Sequence, residues 1–418
     1  MNTSVVLDKL GKKMIKFKNL GIVDENLRSI NDLGFETPTE IQEKSLPHIL
    51  EGKDVIAGSA TGSGKTLAFG MGIIQNIEAG QGIQSLILAP TRELAEQIHG
   101  DLKDYSKHKR MSITAIYGGV SINPQFEALK KADIVVGTPG RILDHLQRRS
   151  LNLSRIKILV LDEADRMLDM GFLDDVTAIM SQCPRKKQTL LFSVTIPPNI
   201  ENLTRKFMNN PVRISLDCYV DPRLLKQVYY DVTPNIKFSL LFHLLKQEKG
   251  GLVMVFCNSR SYTDIVSKNL NKVGINAMGI HGGLTQSQRT KVLSKFHSAD
   301  VFVLVCTDVA SRGLDIPNVS HVYNYDIPHD SKQYIHRIGR TARAGASGKV
   351  INLLSPMDHD YYNCVLREFD LTIEKVEKPS IEKIDLHQSP RRRSHKPSPF
   401  GRQGMGKPKF RRRKSPSY

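Results

Sequence analysis

Residues 54–66 read Asp-Val-Ile-Ala-Gly-Ser-Ala-Thr-Gly-Ser-Gly-Lys-Thr: a short apolar run, a glycine-rich turn, then a lysine. The helix-like run Leu67, Ala68, Phe69 follows at once. A buried strand that turns through Gly-Ser-Gly-Lys-Thr into a helix constrains a chain more than its composition does. Gly62 and Gly64 let backbone N–H groups turn inward on an anion, and the helix start adds its positive end. Ser59, Ala60, Thr61, Gly62, Ser63, Gly64, Lys65 and Thr66 therefore read as a Walker A phosphate cradle, although Ser59 stands where the first glycine is usual. In this reading Lys65 reaches the β/γ-phosphates and the Thr66 hydroxyl holds Mg²⁺. A plain glycine turn is the alternative, and it leaves the lysine unexplained.

Apolar strand-like runs recur around this loop, at 54–58, 84–89, 133–137, 156–161 and 188–193, separated by segments with helical spacing such as Leu94, Ile98, Leu102. Near-continuous apolar strands alternating with helices predict a parallel sheet covered on both faces. A second such series, without a phosphate loop, occupies 251–257, 276–280, 301–306, 319–325 and 348–354. The expected organisation is a polar leader (1–13), a first α/β domain (14–216), a hinge (217–223), a second α/β domain (224–378) and a disordered basic tail (379–418). Two α/β domains with one phosphate loop suggest a nucleotide held at a domain interface.

Charge is distributed unevenly. Residues 391–418 carry eleven Lys/Arg and no Asp or Glu, so only +7 of the net +18 belongs to the other 390 residues. A polyanion partner is the first inference, with a solubilising tail as the alternative. The five cysteines (183, 218, 257, 306, 364) are at least 35 residues apart, which argues for reduced thiols rather than disulfides or a metal site. No apolar run reaches the roughly 18 residues of a membrane helix and the N-terminus has no signal-like apolar core, so a soluble intracellular protein without membrane partners is expected.

The run 156–161 ends in Asp162-Glu163-Ala164-Asp165. Acids at the C-terminal end of a parallel strand lie where ligands bind. Asp162 is the natural Mg²⁺ partner, directly or through water, and Glu163 the residue to orient and deprotonate an attacking water. Alone, the motif could be a solvated acidic turn; beside a phosphate loop the two roles support each other.

With these residues the chain resembles the DEAD-box RNA helicases of superfamily 2, from about Phe17 to Val376. The resemblance implies two tandem RecA-like doubly wound domains, ATP and Mg²⁺ as cofactors, and RNA as partner. Gly34 to Gln42 is similar to the family's Q motif; Gln42 is expected to read the adenine edge, Phe17 to stack on the ring and Thr37 to lie at the same site. Pro90, Thr91 and Arg92, then Gly118 and Gly119, then Thr138, Pro139, Gly140 and Arg141 resemble its RNA-backbone motifs, although each singly would pass for a turn. Ser193-Val194-Thr195 stands where the family usually has Ser-Ala-Thr; Ser193 and Thr195, with Asp165 and His336, are the expected coupling residues.

In the second domain the resemblance places Arg260, Gly283, Arg289, Thr307 and Asp308 at the RNA, and Gly313 and Asp315 at the nucleotide. Arginines at 337, 340 and 343 are spaced to share one helix face or turn. The resemblance makes Arg340 and Arg343 fingers on the γ-phosphate, catalytic together with Glu163, Lys65 and Asp162. It implies an RNA-stimulated ATPase that closes two domains on RNA and locally melts short duplexes or remodels RNA–protein complexes. A non-unwinding RNA clamp and a DNA-directed translocase are the competing readings. The core is read as monomeric and cytoplasmic, with a nuclear address left open, and protein partners in RNA processing, ribosome assembly or decay stay unassigned.

Overall fold

A computed structural model describes residues 16–58, 63–215, 225–248, 250–308, 319–341, 348–384 and 386. The leader 1–13, the expected hinge and the basic segment 391–418 lie outside these residues. Every apolar run becomes a strand. In chain order these are β1 (Val55–Gly58), β2 (Ser85–Leu88), β3 (Ile113–Ile116), β4 (Ile134–Gly137), β5 (Ile158–Asp162), β6 (Gln188–Ser193) and β7 (Val212–Ser215). They continue with β8 (Lys226–Asp231), β9 (Leu252–Phe256), β10 (Ala277–Ile280), β11 (Val303–Cys306), β12 (Val319–Asn324), β13 (Lys349–Leu354) and β14 (Glu374–Lys375).

The strands form two seven-stranded sheets, ordered β3-β4-β2-β5-β6-β1-β7 and β10-β11-β9-β12-β13-β8-β14. The pairings are parallel, as in β1 on β6 and β12 on β9. Side chains alternate across each strand, so each sheet needs a core on both faces. Val55 and Ala57 enter one cluster with Phe69 and Phe192, and Ile56 enters the other with Leu86 and Leu161. The second sheet repeats this, with Met254 and Phe256 on one side and Val253 and Val255 on the other. Each unit is thus doubly wound, as the spacing predicts. Among the described residues no helix is long and apolar enough to cross a membrane.

Four strands escape the apolar-run criterion. β3, β7 and β14 are edge strands, and β8 is the neighbour of β14. In β8, Lys-Gln-Val-Tyr-Tyr-Asp buries only Val228 and Tyr230, and in β7 only Ile214 is buried. A half-covered strand alternates polar and apolar residues and does not read as a continuous run. The C-terminal boundary also differs from expectation. Ile381, Ile384 and Leu386 pack on the cluster that contains Val228, Phe238 and Leu241, and the Ile384 N–H donates to Ser239 Oγ at 2.9 Å. The compact fold runs to Leu386, past residue 379 where the tail was expected to begin. Three well-spaced aliphatics in a polar segment are too sparse a signal for composition to register.

One buried cation organises the second sheet. Arg337, in the helix Ser331–Ile338, is 1% exposed. Its Nε and Nη2 donate to the two Asp308 carboxylate oxygens at 2.6 and 2.7 Å, and Nη2 also reaches Asn258 Oδ1 at 2.8 Å. Nη1 donates to Asn324 Oδ1 at 3.2 Å and the Asp326 carbonyl at 2.5 Å, and the guanidinium lies over the Phe256 ring. One side chain therefore ties the chain leaving β9, β11 and β12. Arg337→Met takes away the buried guanidinium that Asp308, Asn258 and Asn324 share; a loss of about 3–5 kcal/mol is expected. Urea unfolding followed by tyrosine fluorescence measures it, and Arg337→Lys should rescue little because an ammonium lacks the planar fork.

Candidate nucleotide and RNA site

The phosphate-loop lysine sits where strand–loop–helix geometry requires. Gly64 caps the helix Lys65–Asn76 with φ 90°. A Cβ on Gly64 would run into the Gln42 amide, so only glycine fits between that amide and the loop. Gln42 Nε2 donates to the Gly64 carbonyl at 2.9 Å, its Oε1 accepts the Thr39 N–H at 2.8 Å, and Thr39 Oγ1 donates to the Ser63 carbonyl at 2.7 Å. The Q-motif segment is thus fastened to the phosphate loop. Phe17, expected to stack on adenine, is buried in the first core with Leu20 and Ile22. Its 4% exposure is that of a packing residue, as its apolar character alone suggests. Thr37 is exposed and Thr66 is half-buried. Ser59, Ala60, Thr61, Gly62, Gly313, Asp315 and Arg343 lie outside the described residues.

Four charges share the buried end of β5. Lys65 Nζ lies 2.7 Å from Asp162 Oδ1 and 3.9 Å from Glu163 Oε1, and Arg166 Nη1 lies 2.7 Å from Glu163 Oε2. All four side chains are 6% exposed or less. Burial alone would lower the Lys65 ammonium's pKa, but Asp162 and Glu163 outweigh it and raise it. Burial pushes the Asp162 carboxyl up, against the pull of Lys65. Asp162 Oδ2 is buried with no hydrogen-bond partner among the described residues. A buried carboxylate oxygen in that position suits a divalent cation. Glu163 adopts the left-handed conformation (φ 54°, ψ 51°), uncommon for a residue with a side chain and costly unless its surroundings hold it. Arg166 escaped the sequence reading; its only signal is a position three residues after Glu163, one helical turn on.

Three of the four expected coupling residues, Asp165, Ser193 and Thr195, come together. Asp165 Oδ2 accepts the Val194 N–H at 3.1 Å, the Thr195 N–H at 2.9 Å and Thr195 Oγ1 at 3.2 Å. Ser193 Oγ accepts the Asp165 N–H at 3.0 Å and donates to the Thr195 carbonyl at 2.7 Å. Val194 enters this set through its backbone alone, so the exchange of alanine for valine leaves these bonds in place. His336 is half-buried in the helix Ser331–Ile338.

A groove of about 480 Å³ collects eight of the residues expected at RNA, and Gly119, Pro139, Arg260, Gly283, Thr307 and Asp308 are not in its lining. Pro90, Thr91, Arg92, Gly118, Thr138, Gly140 and Arg141 line it from the first unit, and Gly282, Leu284, Gln286 and Arg289 from the second. Gly119 has φ 79°, and a Cβ there would collide with the Arg92 guanidinium, so glycine admits the arginine to the groove wall. Pro139 is buried at the start of the helix Pro139–Gln147. Arg260 is exposed beside Gly282, and the Gly283 N–H donates to His281 Nδ1 at 3.1 Å. Thr307 is buried at the end of β11.

Two second-unit expectations are corrected. Asp308 holds Arg337, so its carboxylate is committed within the fold. Arg337 and Arg340 do not share one helix face or turn: the helix ends at Ile338, Arg337 points into the core, and Arg340 follows in a turn at 3% exposure. Spacing of three predicts a common face only while the helix lasts.

Arg289 Nε donates to Glu93 Oε1 at 2.7 Å, and Gln286 Nε2 to the same oxygen at 3.2 Å. These bonds join the two units across the groove, a role the sequence did not assign to Glu93. Burial pushes the Glu93 carboxyl up, but the Arg289 guanidinium outweighs it and holds it below the usual carboxylate range.

Two RecA-like units, a buried lysine–acid cluster at one sheet edge and a groove walled by both units define a nucleotide-dependent helicase core. The chain belongs to the DEAD-box ATP-dependent RNA helicase family: the DEAD/DEAH box helicase family matches residues 39–203 and the helicase conserved C-terminal domain residues 236–345. It is 43% identical over 372 residues to the DEAD-box ATP-dependent RNA helicase CshA of Bacillus cereus, covering 88% of this chain and 71% of that protein. It is 45% identical over 370 residues to ATP-dependent RNA helicase CshA of Listeria monocytogenes, with 88% and 71% covered. Among solved structures, Saccharomyces cerevisiae Dbp5 bound to RNA and ADP BeF3 superposes with TM-score 0.79 at 32% identity, over 87% of this chain and 95% of that one.

Because the Glu93 pKa is lowered in the fold, the ion pair's contribution is present above the ordinary carboxylate pKa and is lost as pH falls through the lowered value. At neutral pH the bridge is therefore intact. Glu93→Gln, which removes only the charge, is expected to loosen the two units, and small-angle scattering at low salt should report a larger radius of gyration. A profile identical to the wild type would mean that other contacts hold the units together.

Proposed function

We propose that the chain is an RNA-stimulated ATPase that closes its two units on an RNA backbone and melts short duplexes locally or remodels RNA–protein complexes. The observation that carries this is the buried cluster of Lys65, Asp162, Glu163 and Arg166, together with a groove walled by both units in which Thr91, Thr138, Arg92, Arg141 and Arg289 stand among Glu93, Asp144, Met170 and Phe172. Such a groove binds phosphate and ribose rather than reading bases. Selection of RNA over DNA then rests on the 2′-OH.

In this reading ATP binds with its phosphates on the loop 59–66, its adenine at Gln42 and its ribose toward Asp315. Asp162 and Thr66 are the residues that would hold Mg²⁺, which when bound supplies positive charge to the phosphate oxygens and the leaving group. The orphaned Asp162 Oδ2 supports that assignment. Glu163 orients and deprotonates the attacking water, and Lys65 neutralises the terminal phosphates. Arg340 and Arg343 approach the γ-phosphate from the second unit and stabilise transition-state charge, a role worth three to five orders of magnitude in other phosphoryl-transfer enzymes. Pro90, Thr91, Arg92, Gly118, Gly119, Thr138, Gly140 and Arg141 hold RNA from one side, and Arg260, Gly283, Arg289 and Thr307 from the other.

Because both ligands favour the closed arrangement, each raises the affinity for the other. Asp165 joins the acidic motif to Ser193 and Thr195, so movement at the phosphates reaches that loop directly. The basic segment 391–418 adds sequence-independent RNA affinity, steepening the salt dependence by roughly 0.7–0.9 per phosphate contact. The site of action is the cytoplasm.

Steady-state ATP hydrolysis measured without nucleic acid, with single-stranded RNA and with single-stranded DNA tests the reading, with Glu163→Gln as the blank. Strong stimulation by RNA alone is expected; equal stimulation by DNA would favour a translocase, and indifference to both would sink the coupling of the two units. Arg166→Met should lower kcat roughly 10–100-fold, the scale for a partner that orients a reacting ligand. Nucleotide affinity, read with a fluorescent ADP analogue, should stay near the wild-type value, because Arg166 grips the Glu163 carboxylate rather than the phosphate loop.

A further inference from the structure

Behind the RNA-facing loops of the first unit lies a buried polar chain to which no function has been assigned. Gln125, in the helix Asn123–Leu129, is 7% exposed, and His145, in the helix Pro139–Gln147, is fully buried. Gln125 Nε2 donates to the Tyr117 carbonyl at 3.1 Å. A carbonyl can only accept, so the orientation of the amide is decided there, and its oxygen faces the other way. That oxygen receives Arg141 Nη1 at 3.2 Å and His145 Nε2 at 3.1 Å. An amide oxygen has no proton to give, so the His145 proton sits on Nε2. Nδ1 then lies 2.8 Å from Ser150 Oγ, a hydroxyl that also donates to the His145 carbonyl at 3.1 Å. The Phe126 ring packs edge-on against the imidazole at 5.3 Å. Burial, followed by the charge of Arg141, lowers the His145 pKa, which keeps this neutral tautomer at physiological pH.

Arg141 is the outlet of the chain. Its side chain is 13% exposed and lines the groove, with Nη2 donating to the Val120 carbonyl at 3.1 Å and Nε 3.8 Å from Asp144. The two Gln125 amide ends therefore reach two of the three first-unit segments read as RNA-facing, the 118–119 turn entered through Tyr117 and the start of the helix Pro139–Gln147 that carries Arg141. An exposed arginine loses substantial rotamer entropy when it grips a phosphate; one already held loses less.

We propose that Gln125, with its amide locked by His145, is a positioning residue that aims the Arg141 guanidinium at an RNA phosphate and couples the 117–120 loop to it. The proposal rests on the reading of Arg141 as an RNA ligand. Gln125 itself does not line the groove and acts only through Arg141.

The test is RNA-stimulated ATP hydrolysis by the full chain, titrated with a single-stranded RNA, in a double-mutant cycle of Gln125→Leu and Arg141→Ala. Gln125→Leu is expected to raise the RNA concentration for half-maximal stimulation on the order of tenfold. The rate at saturating RNA and the KM for ATP should be unchanged. In the Arg141→Ala background the same substitution should add nothing, which a general packing role would not produce. His145→Leu, a second variant in case the first folds poorly, should shift the RNA titration in the same direction and likewise lose its effect without Arg141. A shift that persists in full without Arg141, or a lowered melting temperature with an unmoved RNA titration, overturns the positioning role. If Arg141→Ala alone leaves the titration unmoved, the assignment of Arg141 to RNA fails, and the proposal with it.

Discussion

Two cations and two carboxylates, Lys65 and Arg166 with Asp162 and Glu163, are buried together at the end of β5, and the first unit is built to hold them. Removing each such charge from water costs several kcal/mol, and mutual attraction offsets this only when the geometry is good. A hydrophobic replacement would stabilise the fold as well or better. The cluster is therefore understood through its use: balanced charges in a dry pocket act strongly on any phosphate that enters. The doubly wound sheet makes this possible, because cores on both faces exclude water from the strand ends while the loops beyond them stay open.

The same logic explains the strained backbone beside the cluster. Glu163 is held in a left-handed conformation by the Arg166 pair on its side chain and by the Asp165–Ser193 bonds immediately after it. The strain turns the carboxylate out of the strand direction and toward Lys65. The Ser193–Thr195 loop is fastened to the same turn, so the phosphate site and the chain leaving β6 form one mechanical piece.

The groove is built on a different principle. It sets hydroxyls and arginines among carboxylates and apolar side chains, with glycine where a guanidinium must pass close, as at Gly119 beside Arg92. Its walls come from two units joined across it by Glu93, Gln286 and Arg289. In the second unit the cations divide by burial: Arg337 is a structural tie among three strands, whereas Arg289 lines the groove. Identical residue types serve different ends: Arg337 bonds within its own unit, whereas Arg289 faces the groove and bonds Glu93 across it.

Much of this was legible in the chain. Central strands such as β1, β5 and β9 are buried on both faces and must be apolar throughout, so they announce themselves. The phosphate loop and the acids at 162 and 163 are local in sequence, because a strand–loop–helix places its own ligands. Edge strands such as β7 alternate and stayed hidden, and the packing of Ile381 to Leu386 depends on a surface more than a hundred residues away in sequence. Which arginine is structural was likewise beyond the sequence: residues 337 and 340 look equivalent until the helix ends at Ile338 and Asp308 arrives from another strand. The amide of Gln42, the clasp of Arg166 on Glu163 and the chain from His145 through Gln125 to Arg141 were also decided in three dimensions. Sequence by itself determined the parallel sheets, the nucleotide loop and the class of chemistry, since these follow from local pattern and hydrophobic period. Tertiary structure decided which polar side chain each charge would face, because partners for buried charges are chosen by packing between segments distant along the chain.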